Sequence, residues 1–77
     1  MTPQTLIAAG EALYGWHWLQ PLAAILEVNP RTVRRWANGE YNIPDGVWDD
    51  LATLCDDRGQ TLQSMAQTIR LQMTTKA

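Results

Sequence analysis

Two residue pairs, Thr2-Pro3 and Asn29-Pro30, constrain the fold most, because each is a strong signal for the start of a helix. A threonine or asparagine side chain caps the first backbone N–H groups of a helix, and proline is preset for the first helical position. Gly15 and Gly39 each follow one of these starts after the length of a short helix, and glycine commonly ends helices. The sequence therefore predicts helices that begin at Pro3 and Pro30 and end at these two glycines.

Apolar residues recur in the first half of the chain at the spacing of helices with one buried face. In the first helix they are Leu6, Ala9 and Leu13, with Ile7 beside them. In a second helix, from about Leu19 to Leu26, they are Leu19, Leu22, Ala23 and Leu26. No run alternates Val, Ile and Thr with polar residues as strands do. An all-α fold of four to five short helices is predicted.

The C-terminal half leaves one alternative open. A fourth helix is predicted from Asp45 or Gly46 to Arg58, with Val47, Trp48, Leu51, Leu54 and Cys55 buried. A further apolar stripe follows, formed by Leu62, Met65, Ala66, Ile69 and Met73. Because the spacing is almost the same on both sides of Gly59, this glycine either ends the fourth helix or lies within one long C-terminal helix. Residues 73–77 are expected to be frayed.

Size and composition limit the function. The 77 residues are expected to form one domain, residues 1–77, which would bury only about 60% of the surface of its unfolded chain. With Cys55 and His17 as the single cysteine and histidine, neither an internal disulfide nor a Cys/His metal site is expected. A lone thiol, the lack of a long apolar run and the lack of a signal peptide favour a cytoplasmic protein with no membrane partner.

The net charge of −2 does not favour a nucleic-acid partner, but the distribution of charge does. Arg31, Arg34 and Arg35 share one side of the predicted helix Pro30–Asn38, together with Asn38 itself. The opposite side carries Val33, Trp36 and Ala37, and a later stretch carries Asp45, Asp49, Asp50, Asp56 and Asp57. A cationic helix of this kind fits the major groove of DNA, where arginine donates two hydrogen bonds to guanine.

The segment Leu19–Asn38, LQPLAAILEVNPRTVRRWAN, resembles the helix-turn-helix of phage Cro/repressor-type regulators, which have the lambda-repressor-like fold. The likeness rests on a small residue in the first helix, apolar residues beside the turn, and a β-branched and a large apolar residue in the second helix. These are Ala23, Leu26, Val28, Val33 and Trp36. One position departs from the family pattern, because Glu27 stands where the turn usually has glycine. Either Glu27 adopts a left-handed conformation or the turn differs in shape.

The resemblance implies a sequence-specific regulator of transcription, most simply a repressor, that binds double-stranded DNA. It implies that Arg31, Arg34 and Arg35 contact base edges and that the DNA backbone or groove is contacted by Gln20, Thr32, Asn38, Tyr41 and Asn42. Family members commonly bind two half-sites as dimers. Leu62, Met65, Ile69 and Met73 either cover the core of the domain or form a homodimer interface. The homodimer is favoured, because a monomer with few phosphate contacts binds DNA weakly.

A second hypothesis is a protein-interaction module of helix-turn-helix shape, antitoxin-like or an inhibitor, that does not bind DNA. The low net charge and the aspartates of the fourth helix favour it. An enzyme is not expected, because the sequence has no nucleophile–base pair, metal set or phosphate-binding glycine loop. No cofactor and no small-molecule substrate are expected either.

Several other side chains are expected to be structural. Cys55 is predicted to be a small buried hydrophobe, and His17 an exposed connector residue. One of Trp16 and Trp18 is expected to pack the first helix against the second, and the other to lie on the surface. The aspartate pairs 49/50 and 56/57 are expected to be solvated.

Overall fold

The computed structural model describes residues 2–75 and contains, within that range, four α-helices: α1 (Pro3–Tyr14), α2 (Leu19–Leu26), α3 (Pro30–Ala37) and α4 (Asp45–Thr75). A short 3-10 turn, Gly15–His17, joins α1 to α2. Residues 2–75 contain no strand, so the all-α prediction is confirmed. The predicted fourth helix and the apolar segment after Gly59 form one continuous helix, which decides the alternative that the sequence left open.

The caps predicted before α1 and α3 are both present. The side-chain oxygen of Thr2 accepts a hydrogen bond from the backbone N–H of Thr5 at 3.3 Å. Oδ1 of Asn29 accepts one from the backbone N–H of Arg31 at 2.8 Å. Gly15 follows the last residue of α1 with a φ of 77°, which glycine adopts without strain. These local signals fix where α1 and α3 begin, and hence which of their residues share a face of the helix.

The turn between α2 and α3 passes through Glu27, which has a φ of 57° and a ψ of 43°. This is the left-handed conformation, so the first of the two alternatives for Glu27 is correct. The backbone N–H of Val28 donates to the carbonyl oxygen of Ala23 at 2.9 Å, as is common where a left-handed residue closes a helix. The turn therefore has a backbone shape that suits glycine, with a glutamate in its place.

Replacing Glu27 with glycine should stabilise the protein, because the left-handed conformation costs a residue with a side chain roughly 1–2 kcal/mol. Part of the gain is lost because glycine makes the unfolded chain more flexible. We expect Glu27→Gly to raise the free energy of unfolding by about 0.5–1 kcal/mol in urea denaturation. Glu27→Gln, which removes the charge but keeps the side chain, should leave the stability nearly unchanged. An equal gain in both variants would assign the effect to the charge instead of the backbone.

The core lies where α1, α2 and α3 meet the first half of α4. Its buried side chains are Leu6, Leu13, Leu22, Ala23, Val33, Trp36 and Leu51. Trp18 is half-buried and packs against Gly10, where an added Cβ atom would lie only 2.6 Å from Cδ2 of the indole. Trp16, in contrast, is 86% exposed. Trp18 is therefore the packed tryptophan and Trp16 the surface one, and His17 is exposed as expected.

The first half of α4 packs on the domain, and the second half extends beyond it. Leu51 is buried, and Val47, Trp48 and Leu54 are half-buried against the core. Arg58 ends this contact by donating a hydrogen bond to the carbonyl oxygen of Leu13 at 2.9 Å, with its guanidinium over the ring of Tyr14. The radius of gyration is 15.9 Å, whereas a compact domain of this length has about 11–12 Å. The protein is therefore a small helical domain with a projecting helix.

Cys55 is exposed, so the expectation that it is a buried hydrophobe is wrong. Along α4 it lies about 40° from Leu51, on the side away from Leu54. Trp48, two turns earlier, points within about 20° of Cys55 and is half-buried against the core. Periodicity gives the direction of the Cys55 side chain but does not show how far along α4 the domain covers that side. Within residues 2–75, the cover on this side includes Trp48 and does not reach Cys55.

The end of the chain was expected to be frayed over residues 73–77. Residues 73–75 belong to α4. Residues 76 and 77 lie outside the described range, so the fraying stays a prediction.

Candidate nucleic-acid interface

Helix α3 differs sharply between its two sides. Val33 is fully buried and Trp36 is 5% exposed, and both belong to the core. Because these two side chains fix the rotation of α3 about its axis, residues on the other side must point outward. Arg31, Arg34 and Arg35 are all exposed there. We call these three side chains the arginine face.

The arginine face is positive along the whole helix. Arg34 and Arg35 lie in the last turn of α3, where cations interact favourably with the negative end of the helix dipole. The first turn contains no acidic residue, so no carboxylate on α3 offsets the partial positive charge of the helix N-terminus. Positive charge therefore lies at both ends of α3, from the backbone N–H groups and Arg31 at its start and from Arg34 and Arg35 at its end.

Arg35 is held by the loop that follows α3. Its Nη1 donates a hydrogen bond to the phenol oxygen of Tyr41 at 2.8 Å, and its guanidinium carbon lies 5.2 Å from the centre of the Tyr41 ring. The guanidinium group of arginine has five N–H donors, so Arg35 can still donate two hydrogen bonds to a ligand while it contacts Tyr41. The pairing restricts the rotamers of Arg35 and places Tyr41 next to the arginine face. Helical periodicity could not predict it, because the two residues are separated by the end of a helix and a loop.

The start of α2 lies next to Arg34. A groove of about 390 Å³ is lined by Trp16, His17, Trp18, Leu19, Gln20, Pro21 and Arg34. Gln20, for which the family resemblance implies a contact to the DNA backbone, is thus brought together with a member of the arginine face. The groove also contains Trp16, a large exposed side chain that is not among the site residues predicted from the sequence. The one signal in the sequence that places Trp16 near the site is its position just before the helix-turn-helix segment Leu19–Asn38.

The remaining candidates lie around α3. Thr32 is half-buried on its flank, and Asn38 is exposed directly after its last residue. Tyr41 and Asn42 are exposed in the following loop and line a second groove. That groove also contains Pro3, Gly39, Ile43, Asp45 and Trp48. The loop residues therefore flank the C-terminal end of α3, as Gln20 and Trp16 flank Arg34.

Leu62, Met65, Ile69 and Met73, which we call the C-terminal stripe, lie on the projecting part of α4. Each of them is between 51% and 67% exposed. They do not cover the core of their own domain, so that alternative for the C-terminal stripe is excluded. Within residues 2–75, the arginine face and the C-terminal stripe are two separate surfaces.

The comparisons with known proteins leave the function open. No protein-family model, no curated protein and no solved structure matches this chain. The likeness to Cro/repressor-type regulators thus rests on the helix-turn-helix residues themselves. Among residues 2–75, no group of three or more His, Cys, Asp and Glu side chains is arranged to hold a metal ion. None of the helices in that range combines the length and apolar character that crossing a bilayer requires.

Proposed function

We propose that the protein is a sequence-specific regulator that binds double-stranded DNA by inserting α3 into the major groove. The observation that carries the proposal is the arginine face, with three exposed guanidinium groups on a helix whose rear is buried through Val33 and Trp36. The major groove admits one α-helix, and the base edges lie at its floor. Because the buried side of α3 already holds its backbone rigid, the arginines can be presented to those edges without further ordering of the backbone.

In this proposal the arginines specify sequence and the flanking residues set position. Arg31, Arg34 and Arg35 donate to base edges, with guanine N7 and O6 as the preferred acceptors. Phosphates on either side of the groove are bound by the surrounding polar residues, namely Gln20, Thr32, Asn38, Tyr41 and Asn42. Trp16 adds an aromatic surface and an indole N–H beside Gln20. Phosphate contacts of this kind orient the helix without carrying sequence information.

The proposed binding unit is a homodimer formed through the C-terminal stripe. Most of the stability of a helix in a protein comes from packing of its apolar face, and residues 59–75 have no such packing within the single chain. The projecting part of α4 therefore needs a packing partner, and its own domain does not supply one. Two linked recognition helices also double the number of phosphate and base contacts, which a small monomer needs at physiological salt.

The simplest regulatory mechanism is steric repression. A dimer on its operator covers DNA that other proteins must contact to start transcription. This mechanism needs only DNA binding by the protein, without catalysis and without a small-molecule effector.

A second candidate function is a protein-interaction module without DNA binding. The net charge of −2 and the exposed aspartates of α4 favour it. The two functions differ in their dependence on salt. Binding to DNA should weaken with added salt, with a log–log slope near −0.9 for each phosphate neutralised. The affinity for a protein partner that contacts the apolar surfaces should depend far less on the salt concentration.

The test is a mobility-shift assay with a duplex selected from random sequences by the wild-type protein. We expect Arg34→Ala to weaken binding to the selected duplex roughly 5- to 150-fold for each half-site, because a bidentate base contact contributes about 1–3 kcal/mol. Arg70→Ala is the matched control, since it makes the same charge change on the projecting, exposed part of α4. It should bind almost like the wild type.

Two results would contradict the proposed function. One is that no duplex is enriched from the random pool at any salt concentration. The other is that Arg34→Ala and Arg70→Ala bind the selected duplex with the same affinity, which would leave α3 without a specific role.

A further inference from the structure

The C-terminal stripe faces the same side of α4 as the residues that hold the domain. Successive residues of a helix are about 100° apart, so Leu51 and Ile69 point in the same direction, and Arg58, Leu62 and Met65 lie within about 40° of them. Leu51 is buried in the core, and Arg58 donates a hydrogen bond to the carbonyl oxygen of Leu13 in α1. The domain therefore occupies this side of α4 up to Arg58, and the stripe continues on the same side where the domain ends.

This placement restricts how a second copy can approach. If two α4 helices paired in parallel along the stripe, residues 45–58 of the second copy would need the space that α1 of the first copy fills. Parallel pairing through this side is therefore blocked unless both helices bend apart. In antiparallel pairing, residues 59–75 of one copy lie along residues 59–75 of the other. Each domain then lies beyond the C-terminal end of the other copy's helix, and the clash is absent.

The chemistry of the projecting segment suits a second copy of the same chain. The stripe is apolar, and the small residues Gly59 and Ala66 border it on one side, which allows close approach of two helices. Thr61 and Thr68 border it on the other side. None of these border residues carries a charge, so two identical faces meet without repulsion. The contact is about 25 Å long, the length of residues 59–75 as a helix.

We infer that the protein forms an antiparallel two-helix dimer through the C-terminal stripe, centred near residue 67. This inference rests on the homodimer of the proposed function and adds its orientation. In this register, Met65 of one copy lies opposite Ile69 of the other, and Leu62 lies beside Met73. The two Leu62 residues are separated by about 15 Å along the helix axis, whereas parallel pairing sets them side by side.

Disulfide trapping distinguishes the two orientations. The experiment uses the full chain with Cys55→Ser, so that the exposed native thiol does not react. Leu62→Cys and Met73→Cys are then prepared separately, and also refolded together in equal amounts, before mild oxidation and gel analysis without reductant. Both positions are exposed, so neither substitution is expected to prevent folding of the domain. We expect at least tenfold more covalent dimer from the mixture than from either variant alone.

Three outcomes would overturn the inference, and they separate it from the proposed function. Efficient disulfide formation by Leu62→Cys alone indicates parallel pairing and leaves the dimer and DNA binding in place. A purely monomeric wild-type protein by light scattering, together with specific binding in the mobility-shift assay, removes the dimer but not DNA recognition. Covalent dimer at equal low levels in all samples indicates random collision and no defined interface.

Discussion

Replacing Trp36 with alanine should unfold the domain. The indole is 5% exposed and packs in the core with Val33 and Leu51. Truncation of a buried tryptophan to alanine typically costs about 3–5 kcal/mol, through lost burial and a residual cavity. A chain of this length has a total stability of roughly 4–12 kcal/mol. Circular dichroism should therefore show a melting temperature at least about 15 °C lower, or no folded state at room temperature.

Trp16→Ala is the matched control for this experiment. It makes the same chemical change at a side chain that is 86% exposed, so its melting temperature should stay within a few degrees of the wild type. If Trp36→Ala melted at the wild-type temperature, the indole would not anchor α3. The outward direction of the arginine face would then lose its structural basis.

Much of this fold follows from local sequence signals. The caps at Thr2 and Asn29 and the helix Leu19–Leu26 lie where the sequence predicts them, because each depends on a few neighbouring residues. The buried pair Val33 and Trp36 follows from helical periodicity, since both face the same side as other apolar positions. Each of these confirmed predictions depends only on residues within one or two turns.

The sequence-based predictions that were wrong or left open concern how far α4 extends, how far the domain covers it, and the shape of the turn at Glu27. The sequence could not decide whether α4 continues through Gly59, because one glycine costs a helix only about 1 kcal/mol and the apolar spacing is the same on both sides. The burial predicted for Cys55 is wrong because periodicity gives the direction of a side chain but not how far along the helix the domain covers that direction. Glu27 left two alternatives because a left-handed glutamate is uncommon but tolerated.

The candidate site was predictable in part. The exposure of Arg31, Arg34 and Arg35 follows from the amphipathic pattern of α3, as does their common face. The contact between Arg35 and Tyr41, and the position of Trp16 beside Arg34, depend on the three-dimensional course of two connecting segments. Such contacts between loops and helices are set by tertiary packing and have no periodic signature.

Replacing Ile69 with aspartate should convert the protein to a monomer and weaken its specific binding to DNA by about 100-fold or more. Ile69 lies at the middle of the C-terminal stripe and is 51% exposed in the single chain, so the charge is hydrated in a monomer. In a dimer two carboxylates would be buried against apolar side chains, which is costly without a partner of opposite charge. Loss of the second recognition helix then removes the gain from bivalent binding, which is commonly 10²- to 10⁴-fold.

Gln67→Asp provides the control for this last experiment. It adds the same charge on the opposite side of α4, about 160° from Ile69, and should leave both the dimer and the DNA affinity unchanged. Light scattering gives the oligomeric state and the mobility-shift assay gives the affinity for the selected duplex. Helicity should fall in Ile69→Asp but not in the control, because residues 59–75 lose their packing partner. A dimeric Ile69→Asp with wild-type affinity would show that the C-terminal stripe takes no part in assembly.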